Sequence, residues 1–265
     1  MERGAVKICY NKIMKKIIVA NWKMNPQILQ EAKRIFNEID KVANRMLNVE
    51  TIICPPFVYL SDFSSKNSVV KLGAQDLFWE DKGAYTGEIS ADMIKNLGVK
   101  YVLIGHSERR QDHPEETNEI INKKIIKALK NGLKIIFCIG ERERDTKGCY
   151  FHFIKKEILE GLEGIDGKEA DNIIIAYEPI WAIGAKAQRA DRPDDTLKIV
   201  DFIREVLSSI FGKNLSRKTP VLYGGSVDAD NAQDFLKNGG VQGLLVGRSS
   251  LDGKIFSKIL KDADV

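Results

Sequence analysis

Eight short apolar runs, each followed by a stretch with helical periodicity, recur along almost the whole chain. The runs fall at 16–20, 51–54, 70–74, 101–104, 134–139, 173–177, 221–223 and 243–246. The periodic stretches fall at 27–47, 58–64, 91–97, 116–131, 151–162, 194–211, 229–238 and 254–260. Runs that are apolar throughout, rather than alternating, need burial on both faces, which parallel strands flanked by helices provide. Eight such units in roughly 250 residues predict a closed (β/α)8 barrel. An open doubly wound sheet fits less well, because no GxGxxG turn follows the first run.

No Pro-, Gly- or Ser-rich linker divides the chain, so residues 14–265 are expected to form one domain. Residues 1–13 carry no apolar signal-peptide core, and Met14 precedes Lys15-Lys16 like a second start; the segment is expected to lie outside the fold. With 43% hydrophobic and 29% charged residues among 265, there is enough apolar side chain for one large core. The formal charge of +4 is spread thinly, which argues against a nucleic-acid partner. No apolar run approaches membrane-span length, which argues against a membrane partner. The four cysteines show no CxxC spacing and the three histidines do not cluster with them. Neither a metal site nor a disulfide framework is expected, and a reducing cytoplasm is the default location.

Barrels of this kind gather their chemistry at the C-terminal ends of the strands. Those ends hand off Asn21-Trp22-Lys23, Gln75-Asp76, His106-Ser107-Glu108, Gly140-Glu141, Glu178, Gly224-Gly225-Ser226 and Gly247-Arg248-Ser249. A lysine, a histidine and several carboxylates thus converge on one rim. Glu178 precedes a proline and a loop, Ile180-Trp181-Ala182-Ile183-Gly184, that is apolar where loops are usually polar. A carboxylate in an apolar, closable site has its charged form disfavoured, so it is expected to be a base of raised pKa under a lid. His106 stands where a helical turn can start, and a helix N-terminus disfavours imidazolium.

The blocks NWKMN (21–25), GAQD (73–76), YTGEIS (85–90), IGHSERR (104–110), CIGE (138–141), YEPIWAIG (177–184), YGGSV (223–227) and LLVGRSSL (244–251) occur in this order. Together they resemble the triosephosphate isomerase family over residues 15–262, the family for which the barrel is named. The resemblance implies a cofactor-free isomerase of a phosphorylated three-carbon substrate, working through an enediolate. It implies Glu178 as the base that shuttles the proton, His106 as the electrophile and Lys23 as the active-site cation, with Asn21 and Glu108 arranging Lys23. This family is itself a reference case for a histidine kept neutral by a helix start. Asn21, Lys23 and the backbone N–H groups of Gly184, Ser226, Gly247 and Arg248 are implied as phosphate contacts, helped by a short helix start after the eighth strand. The lid would run through Pro179, Ile180, Trp181, Ala182, Ile183, Gly184, Ala185 and Lys186. The long loop 76–89 would dock into a second copy, with Gln75 and Thr86 as contacts of a symmetric homodimer.

Two features depart from the family pattern. After WAIG the family usually continues TGKTA, whereas this chain reads AKAQRA (185–190). Arg248 stands where the family commonly has a second glycine; if the backbone there needs positive φ, arginine would strain it. The altered lid and Arg248 keep two alternatives open: a four-carbon ketose phosphate on the same site, and Schiff-base chemistry at Lys23.

Overall fold

A computed structural model describes residues 15–64, 68–183 and 191–264. The expected extension 1–13 and the expected lid residues Gly184, Ala185 and Lys186 lie outside the described residues. The strands β1 (Lys16–Asn21), β2 (Val49–Cys54), β3 (Lys71–Ala74), β4 (Tyr101–Ile104), β5 (Lys134–Ile139), β6 (Ile173–Tyr177), β7 (Val221–Tyr223) and β8 (Gly243–Val246) form a closed parallel barrel in chain order. The ring shuts where β8 pairs with β1, in the register Ile17↔Gly243 through Ala20↔Val246.

Alternation along each strand decides which side chains meet. Ile17, Val19, Ile52, Leu103, Ile136, Ile174, Leu222 and Leu245 share the small cluster inside the barrel. Their neighbours Ile18, Ala20, Ile53, Val102, Ile135, Ile173, Val221 and Leu244 join the larger cluster between barrel and helices. Both faces are therefore buried, which is why the strands read as continuous apolar runs.

The helices are α1 (Leu29–Ala43), α2 (Phe57–Ser64), α3 (Ala91–Asn96), α4 (Ser107–Asp112), α5 (Asn118–Lys130), α6 (Cys149–Gly161), α7 (Pro193–Phe211), α8 (Lys213–Lys218), α9 (Ala232–Asn238) and α10 (Gly253–Ala263). In α1, Ala32, Ile35, Phe36, Ile39 and Ala43 recur at helical spacing and bury one stripe. Side-chain caps fix several starts: Ser90 accepts from Met93 N–H, and Asp252 accepts from Lys254 and Ile255 N–H. The structure differs from expectation at element ends and in two extra helices. α1 covers Leu29–Ala43 rather than 27–47, and α9 starts at Ala232 rather than 229. α4 is made of SERRQD, which has no apolar periodicity; ion pairs hold it instead. α8 buries only Ser216, so no apolar stripe announces it. Among the described residues no helix is long and apolar enough to cross a membrane.

Candidate active site

Over the C-terminal strand ends lies a cavity of about 600 Å³. Asn21, Lys23, His106, Glu108, Glu178, Ser226, Gly247 and Arg248 all line it, so the expected site residues within the described chain converge. Asn25, Ser107, Asp228 and Ser249 line it as well. These four were missed by sequence reasoning, because short polar residues in loops carry no periodic signal.

Glu178 is buried where β6 ends. One carboxylate oxygen accepts from the Ser107 N–H at 2.8 Å, and the other lies 3.0 Å from His106 Nε2. His106 Nδ1 accepts from the Glu108 N–H at 3.3 Å, so Nε2 is the nitrogen that carries the proton and donates to Glu178. The expected raised pKa of Glu178 is corrected by this arrangement. Burial pushes its carboxyl up, but His106, the Ser107 N–H and nearby Lys23 together hold it below the ordinary carboxylate value. In the empty site, donors to the charged form outweigh desolvation.

Lys23 is the single non-glycine residue with positive φ (54°) among the described residues. That region costs an L-residue about 1–2 kcal/mol, and the surroundings impose it. The Lys23 N–H donates to Asn21 Oδ1 at 3.0 Å, and Gln75 Nε2 donates to the Lys23 carbonyl at 2.8 Å. The Lys23 ammonium forms a hydrogen-bonded ion pair with Glu108. This pair sits at the partly exposed mouth of the cavity rather than on a buried floor. Arg248 has no positive φ, so the strain considered for it does not arise.

The turn after β4 is held by a buried charge cluster. Lys124 reaches both Asp76 and Glu116 at 2.8 Å, and Arg109 Nε lies 2.8 Å from Asp76. Gln75 bonds within its own chain, to Lys23 and to the Cys54 carbonyl, and Thr86 lies in an exposed loop.

The visible half of the lid, Pro179–Ile183, is anchored from below. Glu141 accepts from Trp181 Nε1 at 2.7 Å and from the Tyr177 hydroxyl at 2.9 Å, with Arg144 Nε 3.2 Å away. Burial raises the Glu141 carboxyl in spite of these partners. Glu141 was visible in the sequence as a strand-end carboxylate, but without a role. Ser226 Oγ donates to the Ala182 carbonyl at 2.8 Å, joining the lid base to the loop after β7. Beyond β8, the backbone turns through a 3-10 helix (Arg248–Leu251), the short helix start expected there.

Gly140 touches this machinery directly: a Cβ there would collide with the Glu178 carbonyl oxygen. Its N–H donates to Glu157 at 2.8 Å, and Arg110 pairs with Glu157 at 3.3 Å. Burial lifts the Glu157 carboxyl to about 7, with the Glu141 and Glu178 carboxylates adding to the rise. A folded-state pKa above the unfolded one gives stability that is full below about pH 4.3 and lost as pH rises through 7. Glu157→Gln keeps an acceptor for Gly140 but cannot ionise. It should gain on wild type by on the order of 1–3 kcal/mol between pH 5 and 8, measured as the difference in urea midpoints at the two pH values. An equal difference at both would refute the assignment.

The model of the triosephosphate isomerase family matches residues 16–263. The triosephosphate isomerase of Dictyoglomus thermophilum is 42% identical over 250 residues, covering 93% of this chain and 99% of that protein. Those of Alkaliphilus oremlandii and Aquifex aeolicus are 42% and 40% identical, covering 98% and 99% of their own lengths and 93% of this chain. With barrel, rim and convergent side chains all in agreement, the chain belongs to the triosephosphate isomerase family.

Proposed function

We propose that this chain interconverts dihydroxyacetone phosphate and D-glyceraldehyde 3-phosphate through an enediolate, with Glu178 as the base. The observation that carries this is the facing pair of Glu178 and a proton-bearing His106 Nε2, 3.0 Å apart inside one cavity with Lys23. Isomerisation removes a proton from a carbon next to a carbonyl and returns it to the neighbouring carbon. A substrate oxygen that accepts from His106 Nε2 must take the place now held by the Glu178 carboxylate. Glu178 then loses a donor that stabilised its charge while staying buried, and its basicity rises as the substrate arrives. His106 and Lys23 meanwhile face the oxygens on which enediolate charge grows. Asn21 orients Lys23. Glu108 pairs with it and fixes the His106 tautomer through its N–H. The N–H groups of Gly184, Ser226, Gly247 and Arg248 bind the phosphate, and 179–186 close over it.

The four-carbon alternative is not favoured, since the relatives carry the three-carbon name over nearly their whole length. A coupled assay with dihydroxyacetone phosphate decides the matter, run on protein with and without residues 1–13. Absence of turnover in both would overturn the activity, and activity without 1–13 places that segment outside the fold.

The working unit is a homodimer in a reducing cytoplasm. Exposed Met24 (83%), Val58 (75%) and Tyr85 (45%) follow β1, β2 and β3, three neighbouring strands, and an exposed arm at 80–88 carries Thr86 beside them. Burying this patch symmetrically would remove its apolar surface from water. Cys54, Cys138 and Cys149 are free thiols, in keeping with a reducing compartment. Sedimentation equilibrium should give twice the 29.8 kDa chain mass; a monomer at micromolar concentration would refute the dimer.

A further inference from the structure

We infer that the Arg248 side chain, and not only its backbone N–H, binds the substrate phosphate and sets the affinity of the site for phosphorylated anions. This rests on the reading of the cavity as a phosphate-ester site. The charged side chains lining the cavity among the described residues are Lys23, Arg248, Glu108, Glu178 and Asp228. Three carboxylates therefore face two cations, and the cavity is negative before any ligand enters. A phosphate monoester brings about −1.5 to −2 further charges near pH 7.

Lys23 is already matched by Glu108. Asp228 Oδ1 is engaged by the N–H groups of Asp230 and Asn231, so it caps its own turn and keeps its charge at the cavity edge. Arg248 is exposed, lines the cavity, and makes no hydrogen bond or ion pair among the described residues. It is thus the lining cation left free to meet a dianion. Its position fits that task. It begins the 3-10 turn after β8, next to Gly247, whose added Cβ would stand 3.4 Å from Lys23 Cε. Guanidinium offers a planar fork that matches phosphate oxygens two at a time. A glycine in this position would leave the phosphate to backbone donors alone. Here a mobile cation is added to them, at an exposed spot where salt can screen it.

The test separates binding from chemistry. Arg248→Gly and Arg248→Gln should raise the KM for dihydroxyacetone phosphate, and the Kd for 2-phosphoglycolate, by about five- to tenfold at low ionic strength. The loss should fall on KM and not on kcat, and Arg248→Lys should recover part of it. In roughly 0.5 M KCl the gap between wild type and either variant should close to less than about twofold, because a screened exposed charge loses most of its reach. Circular dichroism checks that each variant is folded; if the glycine variant is not, the glutamine variant carries the comparison. KM and Kd within about twofold of wild type at low salt, or a loss confined to kcat, would overturn the proposal. If wild type bound 2-phosphoglycolate in an Arg248-dependent way yet turned over no substrate, the isomerase reading would fail and this one would stand.

Discussion

Glu178→Gln loses roughly a thousandfold in kcat, the middle of the range that a positioned general base supplies, while the protein stays folded. The substitution is nearly isosteric and deletes only the group that takes the proton. Its stability cost is bounded by the two donors that face Glu178. The Ser107 N–H can still be satisfied by the amide oxygen, but the amide NH2 then meets the proton on His106 Nε2. One mismatched donor costs about 1–3 kcal/mol, and removing a buried charge offsets part of that. The expected change in stability is therefore below about 2 kcal/mol. Steady-state kinetics in the coupled assay and a urea titration read the two quantities independently. A variant keeping more than about a tenth of wild-type kcat would clear Glu178 of the base role, since general-base effects begin near a hundredfold.

The largest loss of stability is expected from Lys124→Met. Lys124 is buried with Asp76 and Glu116, each within 2.8 Å of its ammonium, and Arg109 completes the cluster. Methionine fills the volume but leaves buried carboxylates short of a cation. Removing one partner of such a pair costs about 3–5 kcal/mol, which for a domain of this size lowers Tm by roughly 6–20 °C. Burial already pushes the Asp76 carboxyl up, with Lys124 opposing the rise. Without Lys124 the folded-state value climbs further above the unfolded one. Stability is then lost as pH rises through it, so the deficit should be larger at pH 8 than at pH 5. Adding Glu116→Gln to Lys124→Met should restore part of the loss, because the two positions share one network. A deficit under about 1 kcal/mol would show that water or rearranged partners replace Lys124. Activity should fall as well, because Arg109 carries this cluster into the turn that begins at His106.

Most of the barrel could be read before any coordinates. Strands β4, β5, β6, β7 and β8 coincide with their predicted runs, because a strand buried on both faces must be apolar at every position. Helix ends were less legible. The residues flanking α1 and α9 are compatible with helix, and capping and packing decide where the turns stop. Helix α4 was hidden because its six polar residues are held by distant partners such as Asp76, Gly105 and Glu157. No local pattern encodes a contact of that range.

The sequence by itself determined the architecture, the family and the list of side chains at the rim, since each depends on residue type and order along the chain. Tertiary structure alone decided how those side chains are used. It put the Glu178 carboxylate on His106 and Ser107, which lowers its pKa in the empty site where burial alone would raise it. It also turned Gln75 inward onto Lys23 and left Arg248 without a partner at the cavity edge. The reason is physical. Apolar patterning acts through local periodicity, whereas the charge state of a carboxylate depends on which donors lie within about 3 Å of it. In Glu178 those donors come from a different strand end, 71 residues away in the chain.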